Sequence, residues 1–125
     1  MAADWADSAD WAGKIVIDAM NTYGVAPDEL QGQASSHVVA AALPGARVVK
    51  TLNQLPAKLL AMSPSEGGGR RVMLVASDDE AASVVIAKLL ADLGFAPITL
   101  GSIDAGGALL DRTGPLVLQN LVKLG

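Results

Sequence analysis

The chain has 125 residues, enough for one ordinary domain, and a formal net charge of −4. This acidic balance argues against a nucleic-acid-binding protein, which normally displays a basic stripe. Apolar residues make up 51% of the sequence and aromatic residues only 3%, so the core must be aliphatic. The absence of cysteine excludes disulfide bonds and thiolate metal sites.

The first part of the chain carries Asp4, Asp7 and Asp10 and no basic residue before Lys14, unlike a secretory signal peptide. No apolar run reaches the length of a membrane span. We therefore expect a cytoplasmic protein that binds neither membranes nor nucleic acid. We expect a single domain over 1–125, in which residues 1–12 form an acidic arm.

Apolar runs and turn signals alternate along the chain. Strands are predicted at 14–18, 47–52, 70–76 and 96–100. Helices are predicted from Ser35 or Ser36 to Leu43, at 56–62, after Ser77, and at about 107–112 and 115–124. Such alternation indicates βαβ units. We therefore predict a three-layer α/β fold, in which flanking helices cover a mostly parallel, Rossmann-like sheet of about four strands with an exposed edge.

The helix after Ser77 carries the clearest signals. Ser77 followed by Glu80 predicts a capping box, and Gly94 followed by Phe95 predicts a Schellman stop. Between them, apolar residues recur at helical spacing, as in a helix that packs on a core. They are Ala82, Val85, Ile86, Leu89, Leu90 and Leu93.

Most residues with catalytic or metal-binding potential have a simpler structural interpretation. His37 is the only histidine, and no second ligand type clusters with it in sequence, so we predict no metal site. The acidic run 78–80 is explained by helix capping. The glycines at 67–69 precede a strand, whereas a phosphate loop follows one. We identify no catalytic acid, base or nucleophile.

Asn21 and Asn53 are the polar residues of most interest, because each follows a predicted buried strand. Ligands bind at the carboxyl ends of strands in open α/β sheets. An amide can donate to and accept from the polar edge of a planar ring such as nicotinamide or a flavin. Alternatively, each asparagine only closes a turn, and the residues alone leave both interpretations open.

Several stretches together have the order and spacing of one family. They are KIVIDAMN (14–21), Ser35-Ser36-His37, VVKTLN (48–53), Leu55-Pro56-Ala57, VASDD (75–79), Leu100-Gly101-Ser102 and Gly114-Pro115-Leu116. Over residues 12–124 the chain resembles the C-terminal half of the deazaflavin-dependent NADP oxidoreductases.

This resemblance implies hydride transfer between NADPH and a deazaflavin coenzyme or another flavin-type acceptor, without an obligatory acid or base. It implies that two turns line the deazaflavin, and that the segment 115–121 helps to close the site. The cofactor-binding residues would be Asn21, Thr22, Asn53, Leu55 and Ala57.

The chain departs from the family pattern at its start, because the N-terminal, Gly-rich βαβ unit that holds the NADP phosphates has no counterpart here. We therefore expect an oxidoreductase-like chain that is incomplete by itself. Three hypotheses follow: a truncated half-enzyme, an active enzyme completed by a homo-oligomer or a partner chain, or a catalytically inactive interaction or dimerisation module derived from the family. The last of these predicts a partner at the exposed edge of strand 14–18.

Overall fold

The computed structural model describes residues 10–20, 35–110, 115–116 and 119–124. The strands are β1 (Ile15–Asp18), β2 (Arg47–Lys50), β3 (Ser65–Glu66), β4 (Gly69–Val75), β5 (Ala96–Thr99) and β6 (Val122–Leu124). The helices are α1 (Ser35–Ala42), α2 (Ala57–Leu60), α3 (Glu80–Asp92) and α4 (Ala108–Leu110), which follows a π-helical turn at Ile103–Gly107. The predicted α/β class is confirmed in this part of the chain.

The described strands form two small sheets. β1 pairs with β2 in parallel, and β4 pairs in parallel with β5 but antiparallel with β3 and β6. Lys50 and Ala76 join the two sheets by exchanging both backbone hydrogen bonds, at 2.8 and 2.9 Å. The arrangement is thus more mixed than the mostly parallel sheet we predicted. Parallel strands need a crossover connection of about a dozen residues or more. The short turn between β3 and β4 can only join antiparallel strands, so these two form a hairpin.

β4 lies at the centre of the core. Its alternate side chains point to opposite faces of the sheet, and the apolar ones pack in two clusters. On one face, Met73 and Val75 pack with Val49 and with the buried side of α3. On the other face, Val72 and Leu74 pack with Ala76, Ala96 and Leu110. A third cluster joins α1 to β2 and includes Trp11. Burial on both faces explains why residues 72–76, from β4 into the turn after it, are a continuous apolar run.

The start of α3 differs from our prediction. Asp79, not Ser77, is the N-cap, and its Oδ1 accepts a hydrogen bond from the Ala82 N–H at 2.9 Å. The Ser77 hydroxyl instead donates to the Val48 carbonyl at 2.6 Å. The predicted capping box is therefore wrong, because Ser77 is used to tie the end of β4 to β2.

The predicted Schellman stop of α3 is confirmed. Gly94 has φ +100°, in the left-handed region that favours glycine. The Phe95 N–H donates to the Leu90 carbonyl and the Gly94 N–H to the Ala91 carbonyl, both at 3.0 Å.

Only part of the predicted apolar face of α3 is buried. Ala82, Ile86 and Leu90 enter the core together with Ser83. The other three predicted residues, Val85, Leu89 and Leu93, remain 51%, 45% and 58% exposed. The buried face of α3 is therefore shifted toward Ser83, relative to the predicted apolar face. The helix packs over β4 and β5 and leaves one apolar flank uncovered.

The C-terminal prediction is wrong in one respect. Residues 122–124 form a strand, β6, rather than the end of a helix, and they pair with Gly69–Arg71. Gly69 makes this approach feasible, since a Cβ there would lie 2.5 Å from the Lys123 carbonyl oxygen. Within the described ranges, no helix combines the length and the apolar character that a membrane crossing requires.

An ion pair ties β2 to the start of α3. Arg47 Nε donates to Asp79 Oδ2 at 2.7 Å, and Arg47 Nη2 donates to Oδ1 at 3.1 Å. This bidentate contact, helped by the Ala82 N–H, lowers the pKa of Asp79 from its ordinary value of 3.8 to about 2.

Replacing Leu90 by Ala should destabilise the protein by about 2–5 kcal/mol, because it opens a cavity in the core. Replacing its neighbour Leu89 by Ala should change the free energy of unfolding by less than about 1 kcal/mol, because that side chain is half exposed. Denaturant unfolding of the two variants measures the difference. Equal losses would contradict the shift of the buried face of α3 described above.

The stability that Arg47 contributes should depend on pH. Between about pH 4 and pH 2 the unfolded Asp79 carboxyl is protonated while the folded one is not, so acid favours the unfolded state. Above about pH 4, Arg47→Met should have a lower free energy of unfolding than the parent by its full amount. This difference should shrink as the pH falls to 2. Unfolding curves across this range test it. Lys58→Met, which removes an exposed cation, is the control. Its difference from the parent in the free energy of unfolding should not change over this pH range.

Candidate functional site

Two buried charged residues mark the carboxyl ends of β1 and β2. Asp18 and Lys50 end these strands, are register partners, and are 2% and 1% exposed. Burying a charge is costly unless it is paired or hydrogen-bonded. We call this region, comprising Asp18, Ser36, Lys50, Thr51 and Asn53, the strand-end cluster.

The charged residues of the strand-end cluster hold the backbone of Met20, just after β1. Asp18 Oδ2 accepts from the Ser36 hydroxyl at 2.6 Å, and Oδ1 accepts from the Met20 N–H at 3.0 Å. Lys50 Nζ donates to the Met20 carbonyl at 3.3 Å. The chain is thus anchored on both sides of Met20, immediately before Asn21.

The turn after β2 is held against β4 by side chains. The Thr51 hydroxyl donates to the Leu74 carbonyl at 2.7 Å. Gln54 Oε1 accepts from the Leu74 N–H at 2.7 Å, and Gln54 Nε2 donates to the Val72 carbonyl at 3.4 Å. These side chains therefore satisfy backbone groups of β4 that a neighbouring strand would otherwise bind.

Leu52, between Thr51 and Gln54, has φ +64°. This is the left-handed conformation, which a non-glycine residue adopts only at a cost in free energy. Strained residues of this kind occur preferentially at ligand and catalytic sites. No local pattern predicts this backbone conformation, which lies immediately before Asn53.

The predicted site residues that the structure describes differ in whether they are buried or exposed. Asn53 is 3% exposed and its Nδ2 donates to the Leu110 carbonyl at 2.9 Å, while Leu55 is buried. Ala57 is exposed at the start of α2. Asn21 and Thr22 lie outside the described residues. The structure thus brings the Asn53–Ala57 turn to the carboxyl end of the sheet, with Asn53 and Leu55 facing inward and Ala57 outward.

A cleft of about 390 Å³ lies at the carboxyl ends of β4 and β5, and none of the described predicted site residues lines it. Its lining residues are Ser77, Asp78, Glu80, Ser83, Val84, Thr99, Gly101 and Ser102. Sequence reasoning missed this cleft, because residues about 20 positions apart meet only once β4 and β5 pair.

His37 links α1 to the edge of this cleft. Its Nε2 lies 2.9 Å from Asp104 Oδ1, and its Nδ1 lies 3.7 Å from Asp78 Oδ2. Asp78 also accepts a hydrogen bond from the Ile103 N–H at 2.9 Å, which orients its carboxylate. Among the residues whose positions are described, no three His, Asp or Glu side chains are arranged to hold a metal ion.

No family model matches this chain, and no curated protein matches its sequence. Solved structures do match. The chain is similar to the hypothetical protein SMa0349 of Sinorhizobium meliloti, with 40% identity, a TM-score of 0.89, and coverage of 98% of this chain and 62% of that one.

The chain is also similar to a proposed F420-dependent NADP reductase of Arthrobacter sp. FB24. The identity is 33% and the TM-score 0.60, over 75% of this chain and 46% of that one. This chain therefore spans about half to two thirds of the length of the two proteins. The predicted resemblance to deazaflavin-dependent NADP reductases is supported as a general likeness to this solved structure.

Replacing Gln54 by Met should cost about 1–3 kcal/mol of stability, because it removes the acceptor of the buried Leu74 N–H without changing the side-chain volume much. Gln119→Met is a matched control, since Gln119 is exposed and contributes its backbone carbonyl to Gln54. Denaturant unfolding compares the two variants. Similar losses would show that the Gln54 amide does not hold the turn.

Proposed function

We propose that this chain forms the acceptor side of an NADP oxidoreductase-like protein that transfers hydride between NADPH and a deazaflavin or flavin-type acceptor. The observation that carries the proposal is the 33% identity to the proposed Arthrobacter NADP reductase over 75% of this chain. The position of the strand-end cluster supports it, because carboxyl ends of strands are where α/β sheets bind ligands.

In this proposal the turns after β1 and β2 form one wall of the acceptor site. Ala57, Asn21 and Thr22 contact the ring. Asn53 is a positioning residue, since its amide holds the turn to the Leu110 carbonyl, and Leu55 is buried beneath the surface of the site. A bound deazaflavin would supply the ring carbon that gains or loses hydride.

The protein's contribution is then orientation and exclusion of water, because hydride transfer between stacked rings needs no proton donor from the chain. Asp18 and Lys50 serve this role indirectly. They hold the Met20 backbone beside the ends of β1 and β2 by hydrogen bonds within the fold.

In this proposal a second copy or a partner chain contributes to the NADP site. Among the described residues β1 pairs with β2 alone, and an unpaired strand edge is a template for a further strand. We place the partner at this edge. A cytoplasmic location fits this proposal and remains a prediction.

A second function is favoured by the inward orientation of Asn53 and Leu55. If these side chains serve only the fold, the chain is a catalytically inactive interaction module derived from the same ancestry. The two functions differ in one property, which is the binding of the acceptor by the purified chain.

We expect saturable binding of the deazaflavin coenzyme to the purified chain, measured by calorimetry or coenzyme fluorescence. Ala57→Trp should weaken this binding at least tenfold, because the indole would fill the space in which the coenzyme ring is proposed to lie. Ala81→Trp is the matched control, since Ala81 is also exposed in the first turn of a helix. Absence of binding up to millimolar coenzyme would contradict the oxidoreductase proposal and favour the inactive module.

A further inference from the structure

Three exposed polar side chains lie in one row across β3, β4 and β6. Ser65 is the register partner of Arg70, and Arg70 is the register partner of Lys123. Directly opposite residues of antiparallel strands project to the same face of the sheet. A hydroxyl, a guanidinium and an ammonium group are therefore neighbours on one face, and we call these three residues the basic row.

The positive charge of the basic row is not neutralised within the described part of the chain. Like charges directly opposite each other destabilise a strand pair, and neither Arg70 nor Lys123 has an ion-pair partner among these residues. Glu66 is one residue further along β3, so its side chain projects to the opposite face. There its Oε2 lies 3.7 Å from Arg71 Nη2.

A cleft of about 390 Å³ lies beside the basic row, lined by all three of its residues together with Gly68 and Gly69. Gly67 and Gly68 have φ +56° and +84°, and a Cβ on either would meet no atom within 4 Å, so the turn leaves the cleft open. Gly69 admits the backbone of β6, which brings Lys123 opposite Arg70.

We propose that the basic row is a binding site for an oxyanion of the phosphate class, either inorganic phosphate or a phosphate monoester. The Arg70 Nη1 donates to the Phe95 carbonyl at 3.5 Å, and the other N–H groups of a guanidinium can bind phosphate oxygens. The ammonium adds a point charge, and the serine hydroxyl donates a further hydrogen bond. The site lies at the amino end of β4, whereas the strand-end cluster adjoins its carboxyl end. It is therefore independent of the proposed oxidoreductase function.

The test is a titration of isotopically labelled protein with inorganic phosphate at constant ionic strength, followed by amide NMR. Saturable shifts are expected at Gly68, Gly69, Arg70 and Lys123. The double variant Arg70→Gln, Lys123→Gln should bind at least tenfold more weakly. The double variant Lys14→Gln, Lys58→Gln removes the same charge from exposed positions elsewhere and should bind like the parent.

Equal weakening in both double variants, or equal shifts with chloride, would show nonspecific charge attraction and overturn the proposal. Glycerol 3-phosphate separates the sources of the ligand: tighter binding than phosphate identifies a monoester, and equal affinity identifies the free anion. As an independent measurement, Lys123→Glu should abolish phosphate binding and raise the midpoint of thermal unfolding. A lower midpoint would contradict the repulsion on which the site is based.

Discussion

The hydrogen bonds between the segment after β2 and the backbone of β4 are the contacts on which the rest of the structure depends. Gln54 and Thr51 bind the Leu74 N–H and carbonyl, and Lys50 pairs with Ala76 just beyond. Without them, buried backbone groups of β4 would lack partners, at a cost of about 1–3 kcal/mol each. They join the two sheets, and they place the Asn53–Ala57 turn at the carboxyl end of β2.

Much of the fold could be predicted from local patterns. Residues 72–76 are a continuous apolar run because both faces of β4 are buried there, and α3 stops before Gly94 because glycine tolerates the left-handed conformation at that position. The prediction failed where a distant partner decides the structure. Residues 122–124 become a strand because Gly69 lets them reach β4, and Ser77 does not cap α3 because its hydroxyl binds the Val48 carbonyl.

The same limit applies to the site. The position of Asn53 at a strand end could be predicted from the order of strand and turn. Its burial could not, because its partner, the Leu110 carbonyl, lies 57 residues away. Asp18 and Lys50 look like ordinary strand-end charges in sequence, and only the pairing of β1 with β2 shows that both are buried. The basic row likewise depends on register, which no local pattern specifies.

In the proposed function, the turns after β1 and β2 form the acceptor wall of an oxidoreductase-like protein. Amide NMR of the labelled chain with the deazaflavin coenzyme locates the binding surface residue by residue. We expect the largest shifts at residues 53–57 and around Met20. Shifts confined to the cleft at the ends of β4 and β5, or no shifts at all, would contradict this proposal.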